Sequence, residues 1–227
     1  DQFLMEGYRI LEIKQSVFEN NDREADKLRE ELKKRKTFLL NLMSSPGSGK
    51  TTTLKRTIAA LKDDYRVGIM EADIDSDVDA KKILEATGVN TVQVHTGGMC
   101  HLDAEMTRQG LSGLDLDVDL VILENVGNLV CPAEFDTGAV KNLNILYVPE
   151  GDDKPLKYPL MYQVCDVVVI NKIDCLELFD FSLEKVKENI HYRNKNTVIF
   201  PICAKDGTGV DKLADYLRNE INCWRNK

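Results

Sequence analysis

Thr37-Phe-Leu-Leu-Asn-Leu-Met43 runs directly into Ser44-Ser45-Pro46-Gly47-Ser48-Gly49-Lys50-Thr51-Thr52. An apolar β-run, a Gly/Ser-rich turn and a helix start in that order read as a phosphate-binding P-loop. Gly47, Ser48 and Gly49 let backbone N–H groups close around phosphate oxygens. The helix N-terminus adds its positive end, Lys50 reaches the β- and γ-phosphates, and the Thr51 hydroxyl suits Mg²⁺, with Thr52 next in the turn. Ser44 stands where the usual pattern has its first Gly.

Outward from this loop, short β-branched runs recur at 66–71, 91–95, 119–124, 143–148, 166–170 and 197–202. Helical patterns fill 49–62, 76–87, 101–113, 156–164, 181–193 and 209–224. Alternating strands and helices mean βαβ units, and continuously apolar strands mean a sheet covered on both faces. The expected fold is therefore α/β, three-layered, with a mostly parallel sheet over residues 37–227. Residues 1–36 read as an amphipathic helical extension packed on it. Ile10, Ile13 and Val17 form one stripe and Ala25, Leu28 and Leu32 another, interrupted at Asn20-Asn21-Asp22.

The chain has 227 residues, a formal charge of −8 and 43% hydrophobic residues, enough to bury a core. An acidic balance argues against a nucleic-acid partner, which needs a basic stripe. No run approaches the ~18 apolar residues of a membrane span. No secretory leader is visible, which makes the cytosol the expected compartment. Six cysteines in such a chain are not expected to form a disulfide framework. Cys165, Cys203 and Cys223 read as small buried hydrophobes.

A P-loop needs an acidic partner at another strand end, where ligands of parallel sheets bind. Asp73 lies just past one strand. Glu124-Asn125-Val126-Gly127 follows another, so Glu124 is a second candidate and the Gly127 N–H can meet a γ-phosphate. Asp73 and Glu124, with Thr51, are the expected Mg²⁺ and water-positioning groups, and Asp79 is a weaker one. The acidic series Asp73, Asp75, Asp77, Asp79 is not a calcium loop, because Val78 and Leu84 occupy the positions of its Gly and Glu.

Asn171-Lys172-Ile173-Asp174 follows the sixth of these strands. The Asp174 carboxylate accepts from guanine N1–H and its exocyclic amine, which adenine cannot match. Asn171 and Lys172 brace the loop. Cys203-Ala204-Lys205, after the next strand, offers a backbone N–H to guanine O6. GTP and GDP are thus the expected nucleotides. Turnover rests on Lys50, Asp73 and Glu124 by positioning and electrostatics.

Thr96-Gly-Gly-Met-Cys100-His101-Leu-Asp103 and Val130-Cys131-Pro132 place two thiols and an imidazole near these loops. Such ligands suit Ni²⁺ or Zn²⁺. His95 and His191 read as structural or solvated.

Taken with the P-loop, the stretches at 96–104, 124–132 and 149–155 (Pro-Glu-Gly-Asp-Asp-Lys-Pro) resemble the HypB family, GTPases of nickel–iron hydrogenase maturation. The resemblance covers nearly the whole chain. It implies the signal-recognition/MinD class of P-loop fold, slow GTP hydrolysis and a homodimer favoured by GTP. It also implies nickel delivery to the hydrogenase large subunit with other maturation proteins, and Cys100, His101 and Cys131 as the metal ligands. Residues 1–36 hold no Cys or His, so the N-terminal nickel motifs of some relatives are not found there. The urease-assembly relative is the nearest competitor, but its metal motif reads Cys-Pro-His. A metal-storage protein with nucleotide as a structural ligand, or a small-molecule kinase, are the rival classes.

Overall fold

The computed structural model describes residues 7–13, 20–73, 78–115 and 117–227. Among these residues eight strands form one sheet: β1 (Tyr8–Glu12), β2 (Phe38–Ser44), β3 (Val67–Asp73), β4 (Thr91–His95), β5 (Leu120–Glu124), β6 (Lys141–Tyr147), β7 (Val167–Asn171) and β8 (Val198–Pro201). Their order is β1-β4-β3-β5-β2-β6-β7-β8, and every pairing is parallel. β3, β5 and β7 are buried on both faces because helices cover both sides.

The helices are α1 (Asn21–Arg35), α2 (Lys50–Leu61), α3 (Val78–Thr87), α4 (Ala104–Leu111), α5 (Cys131–Glu134), α6 (Lys154–Lys157), α7 (Pro159–Val164), α8 (Leu183–Arg193) and α9 (Val210–Asn226). One face packs α2, α3 and α9 through Leu54, Ile58, Ile83, Leu213 and Leu217 onto Leu40, Ile69, Ile122 and Val169. The other face carries α1 and α4 through Leu28, Leu32 and Met106, and α7 and α8 through Met161, Tyr162, Val186 and Ile190. These are the three layers.

The N-terminal expectation fails over residues 8–12, which form a strand rather than a helix. β1 pairs with β4 from Tyr8↔Thr91 to Glu12↔His95, so strand pairing at a sheet edge overrides a weak helical periodicity. Val17 lies outside the described residues. The second stripe holds: Asn20 caps α1 by accepting from Arg23 N at 3.2 Å, and Ala25, Leu28 and Leu32 are its buried residues. The 156–164 pattern divides into α6 and α7 around Tyr158 and Pro159. Cys223 is exposed, against expectation, because the buried stripe of α9 is Val210, Leu213, Ala214, Leu217 and Ile221.

The register sets the site. Leu42↔Glu124 and Ser44↔Ile145 place the loop after β2 between the carboxyl ends of β5 and β6. All the loops discussed above leave the same edge of the sheet.

Candidate functional site

The P-loop turns on two glycines in the left-handed region, Gly47 at φ +84° and Gly49 at φ +86°, where a side chain would be strained. A Cβ on Gly49 would also lie 2.5 Å from Asn171 Nδ2. α2 then starts at Lys50, with Thr51 and Thr52 exposed in its first turn. Ser48 is fully buried, and its hydroxyl has no partner among the described residues. The Lys50 ammonium lies 3.0 Å from Glu124 Oε1, and the Glu124 side chain is only 7% exposed. Gly127, three residues beyond β5, lies beside Lys50 Nζ and Pro46: a Cβ there would sit 3.8 Å from each. The Glu124–Gly127 loop therefore faces the phosphate loop. Glu71 on β3 is the buried register partner of Glu124, and Asp73 ends the same strand. Asp75 and Asp77 lie outside the described residues, as does the side chain of Asp79.

The Asn171-Lys172-Ile173-Asp174 tetrad is wired directly into the P-loop. Asn171, 3% exposed, donates to Ser48 O at 2.8 Å and accepts from Ala204 N at 3.0 Å. Lys172 donates to Gly47 O at 2.8 Å and stands 4.7 Å over the Tyr147 ring, and Tyr147 OH donates to Pro46 O at 3.3 Å. Arg56 of α2 donates to the carbonyls of Ala204 and Lys205 at 3.1 and 2.8 Å. Gly49, Thr52, Asn171, Lys172, Asp174, Cys175, Cys203, Ala204 and Lys205 enclose a cavity of about 150 Å³. A cavity of that order admits an aromatic ring. The exposed Asp174 lies at its wall. Of the Cys203-Ala204-Lys205 amides expected near guanine O6, that of Ala204 donates to Asn171 Oδ1, which leaves that of Lys205 as the candidate.

The sequence reading did not single out Glu150, which follows β6 in the 149–155 stretch. Ser45 Oγ donates to Glu150 Oε1, and Tyr147 N donates to Glu150 Oε2 at 3.3 Å. Burial pushes the Glu150 carboxyl up to about 7, opposed by the Tyr147 N–H and by Lys154 and Lys172. The signal in the sequence is only its closeness to Pro149 and Gly151, which gives no hint that it reaches the P-loop.

Cys100 and Cys131, 31 residues apart, meet as a disulfide with Cα atoms 5.9 Å apart. This pair is the exception to the expectation of thiols without disulfides; Cys165, Cys175, Cys203 and Cys223 are free. His101 does not join the two sulfurs. Its ring stacks on Phe135 at 3.8 Å, and burial lowers its pKa. Among the described residues no group of three His, Cys, Asp or Glu side chains is arranged to hold a metal ion. For Mg²⁺ the oxygen donors of Thr51, Asp73 and Glu124 are chemically suitable, being hard ligands at the phosphate-binding edge. Among the described residues no helix is long and apolar enough to cross a membrane.

Fold and site define a P-loop nucleotide-binding protein built on a doubly covered parallel sheet. The family described as CobW/HypB/UreG, nucleotide-binding domain, matches residues 38–201. The hydrogenase/urease maturation factor HypB of Helicobacter hepaticus is 40% identical over 217 residues, covering 93% of this chain and 88% of that protein. The crystal structure of HypB from Helicobacter pylori in complex with nickel matches with a TM-score of 0.83 and 38% identity, over 89% of this chain and 95% of that one. The signal recognition particle 54 kDa protein of Aeropyrum pernix K1, solved with GDP, shares the fold alone: TM-score 0.54 and 13% identity, over 82% of this chain and 49% of that one. The chain belongs to the HypB family.

Proposed function

We propose that this protein is a GTPase whose nucleotide state controls the binding and delivery of nickel during hydrogenase maturation. The observation that carries the reading is the shared loop: Glu124 pairs with Lys50 of the P-loop at one end, and Cys131 pairs with Cys100 seven residues later. The two relatives named above are a hydrogenase/urease maturation factor and a nickel complex, which supports nickel as the cargo. The first of those names also favours a second reading, delivery to urease.

Residues 37–227 carry the GTPase in this reading, and residues 1–36 extend it. Asp174 selects guanine, the Lys205 amide meets O6, and Asn171, Lys172 and Arg56 hold the base loop against the P-loop. Amides from Gly47 to Thr52 surround the phosphates. Glu124 holds Lys50; a γ-phosphate competes for that ammonium and for the Gly127 N–H, which draws the 124–131 loop towards the nucleotide. Thr51, Asp73 and Glu124 would hold Mg²⁺, which supplies charge neutralisation at the β- and γ-oxygens. Asp73 is assigned to orienting the attacking water. Opening of the Cys100–Cys131 bond by a thiol reductant gives two thiolates for the metal, and His101 becomes a third ligand by leaving Phe135. Three ligands leave a four-coordinate Ni²⁺ or Zn²⁺ one short, which water or the same patch of a second copy can fill. A GTP-favoured homodimer, acting in the cytoplasm on the hydrogenase large subunit, is the corresponding assembly.

The test is nickel titration of the reduced protein with a non-hydrolysable GTP analogue and with GDP. Affinities that differ at least several-fold support the reading. Equal affinities contradict it and favour a metal store in which nucleotide is structural.

A further inference from the structure

We infer that Asn128 is the positioning residue that holds both metal-site thiols against the Gly127 loop; the inference rests on the function proposed above. Asn128 follows Gly127 directly, and its N donates to Val126 O at 2.9 Å. Its side chain then makes three further bonds. Nδ2 donates to the Cys100 carbonyl at 3.1 Å, while Oδ1 accepts from Val130 N and Cys131 N, each at 2.9 Å.

Two N–H donors and one carbonyl fix which end of the amide is oxygen, and they use its donor and acceptor capacities together. No other side chain of this size does both. Asp keeps the acceptor but sets a carboxylate against the Cys100 carbonyl; Ala keeps neither.

The position matters as much as the bonds. The disulfide joins Cys100 to Cys131 only while oxidised. Once two electrons and two protons from a dithiol reductant open it, the Asn128 bridge still ties the Cys100 carbonyl to the Cys131 amide. Both sulfurs then remain within reach of one ion. The same residue is bonded covalently to Gly127, which lies beside Lys50. A shift of Gly127 towards a γ-phosphate therefore moves the Asn128 anchor, and the two thiolates follow it or the bridge breaks. Supporting groups of this kind around metal ligands are worth roughly ten- to a hundred-fold in metal affinity.

The experiment uses the reduced full chain, Ni²⁺ alone as the metal, and wild type beside Asn128→Ala and Asn128→Asp. Affinity and the thiolate-to-nickel charge-transfer band are read with GTP analogue and with GDP, and a cooperative thermal transition shows that each variant folds. Asn128→Ala is expected to bring the GTP-analogue/GDP affinity ratio to within twofold of one and to change the band. Asn128→Asp, which keeps the Cys131 bond, should fall between Ala and wild type. A wild-type ratio and band in Asn128→Ala overturn the inference; if that variant does not fold, a wild-type ratio and band in Asn128→Asp do the same. If wild type itself has no nucleotide dependence, the functional reading fails on that curve alone. The band then decides Asn128: unchanged in the variants, it overturns the positioning role, and altered, it upholds it.

Discussion

Replacing Asn171 by Ala removes a side chain that bonds both the phosphate loop and the base loop. The loss is two hydrogen bonds, to Ser48 O at 2.8 Å and from Ala204 N at 3.0 Å, at a position 3% exposed. A typical net contribution is about 1 kcal/mol per bond, and a buried group left unmatched costs about 1–3 kcal/mol. The total is about 2–4 kcal/mol, shared between folding and nucleotide binding. At roughly 2–4 °C per kcal/mol for a chain of this size, the nucleotide-free melting temperature should fall by about 4–8 °C if about 2 kcal/mol of it acts on folding. The remainder, up to about 2 kcal/mol, should appear as a GDP affinity weaker by up to roughly thirtyfold, read by fluorescent-GDP titration. Asn171→Asp sharpens the case. It keeps the acceptor for Ala204 N but brings a carboxylate to the Ser48 carbonyl, so at pH 7 it should cost at least as much as Ala and recover as the pH falls and the carboxyl takes up a proton. An Asn171→Ala protein with wild-type melting and wild-type GDP affinity would refute the bracing role, as would an Asp variant indistinguishable from wild type at pH 7.

Three further outcomes are expected. Asp174→Asn should weaken GTP by roughly 1–3 kcal/mol, the cost of an unmatched polar partner, and shift preference towards a xanthine nucleotide; competition titrations that show ATP binding wild type as tightly as GTP would sink the guanine assignment. Glu150, whose carboxyl rises from 4.5 to about 7 on burial, keeps its proton in the fold after the unfolded chain has released it. Stability should therefore fall as pH rises from 4.5 through about 7, by at most roughly 3 kcal/mol. Glu150→Gln should flatten that slope in urea unfolding, and parallel pH curves for the two proteins would contradict it. Metal binding should require reduction, because the Cys100–Cys131 bond withholds both thiolates; oxidised protein that binds nickel like reduced protein would remove these cysteines from the site.

The local chemistry of the sheet and its loops was legible because it is written in contiguous residues. Strand, Gly47/Gly49 turn and helix start are adjacent, and Asn171 to Asp174 is a four-residue unit. The strands from β2 to β8 each lie within a few residues of their apolar runs. What was not legible depends on residues far apart in sequence. Tyr8–Glu12 is a strand only because β4 offers an edge to pair with. Which amide of Cys203-Ala204-Lys205 is taken shows only once Asn171 is seen to accept from that of Ala204. Ser45 and Glu150, or Asn128 and Cys100, are joined by single side-chain bonds across 105 and 28 residues, and no periodicity or spacing rule marks such a pair. The Cys100–Cys131 meeting follows from the positions of the β4 and β5 exits, not from a Cys-x-x-Cys spacing. His101, beside Cys100 in sequence, is turned to Phe135 by aromatic stacking.

The central claim is that nucleotide turnover drives nickel transfer. Its most direct test is one experiment on the reduced, nickel-loaded protein with GTP and Mg²⁺, in which phosphate release and nickel capture by a chromophoric chelator are followed together in a single turnover. The account predicts that nickel leaves with the rate constant of phosphate release and stays bound when a non-hydrolysable analogue replaces GTP. Nickel that leaves at the same rate with GTP, the analogue and GDP would contradict it.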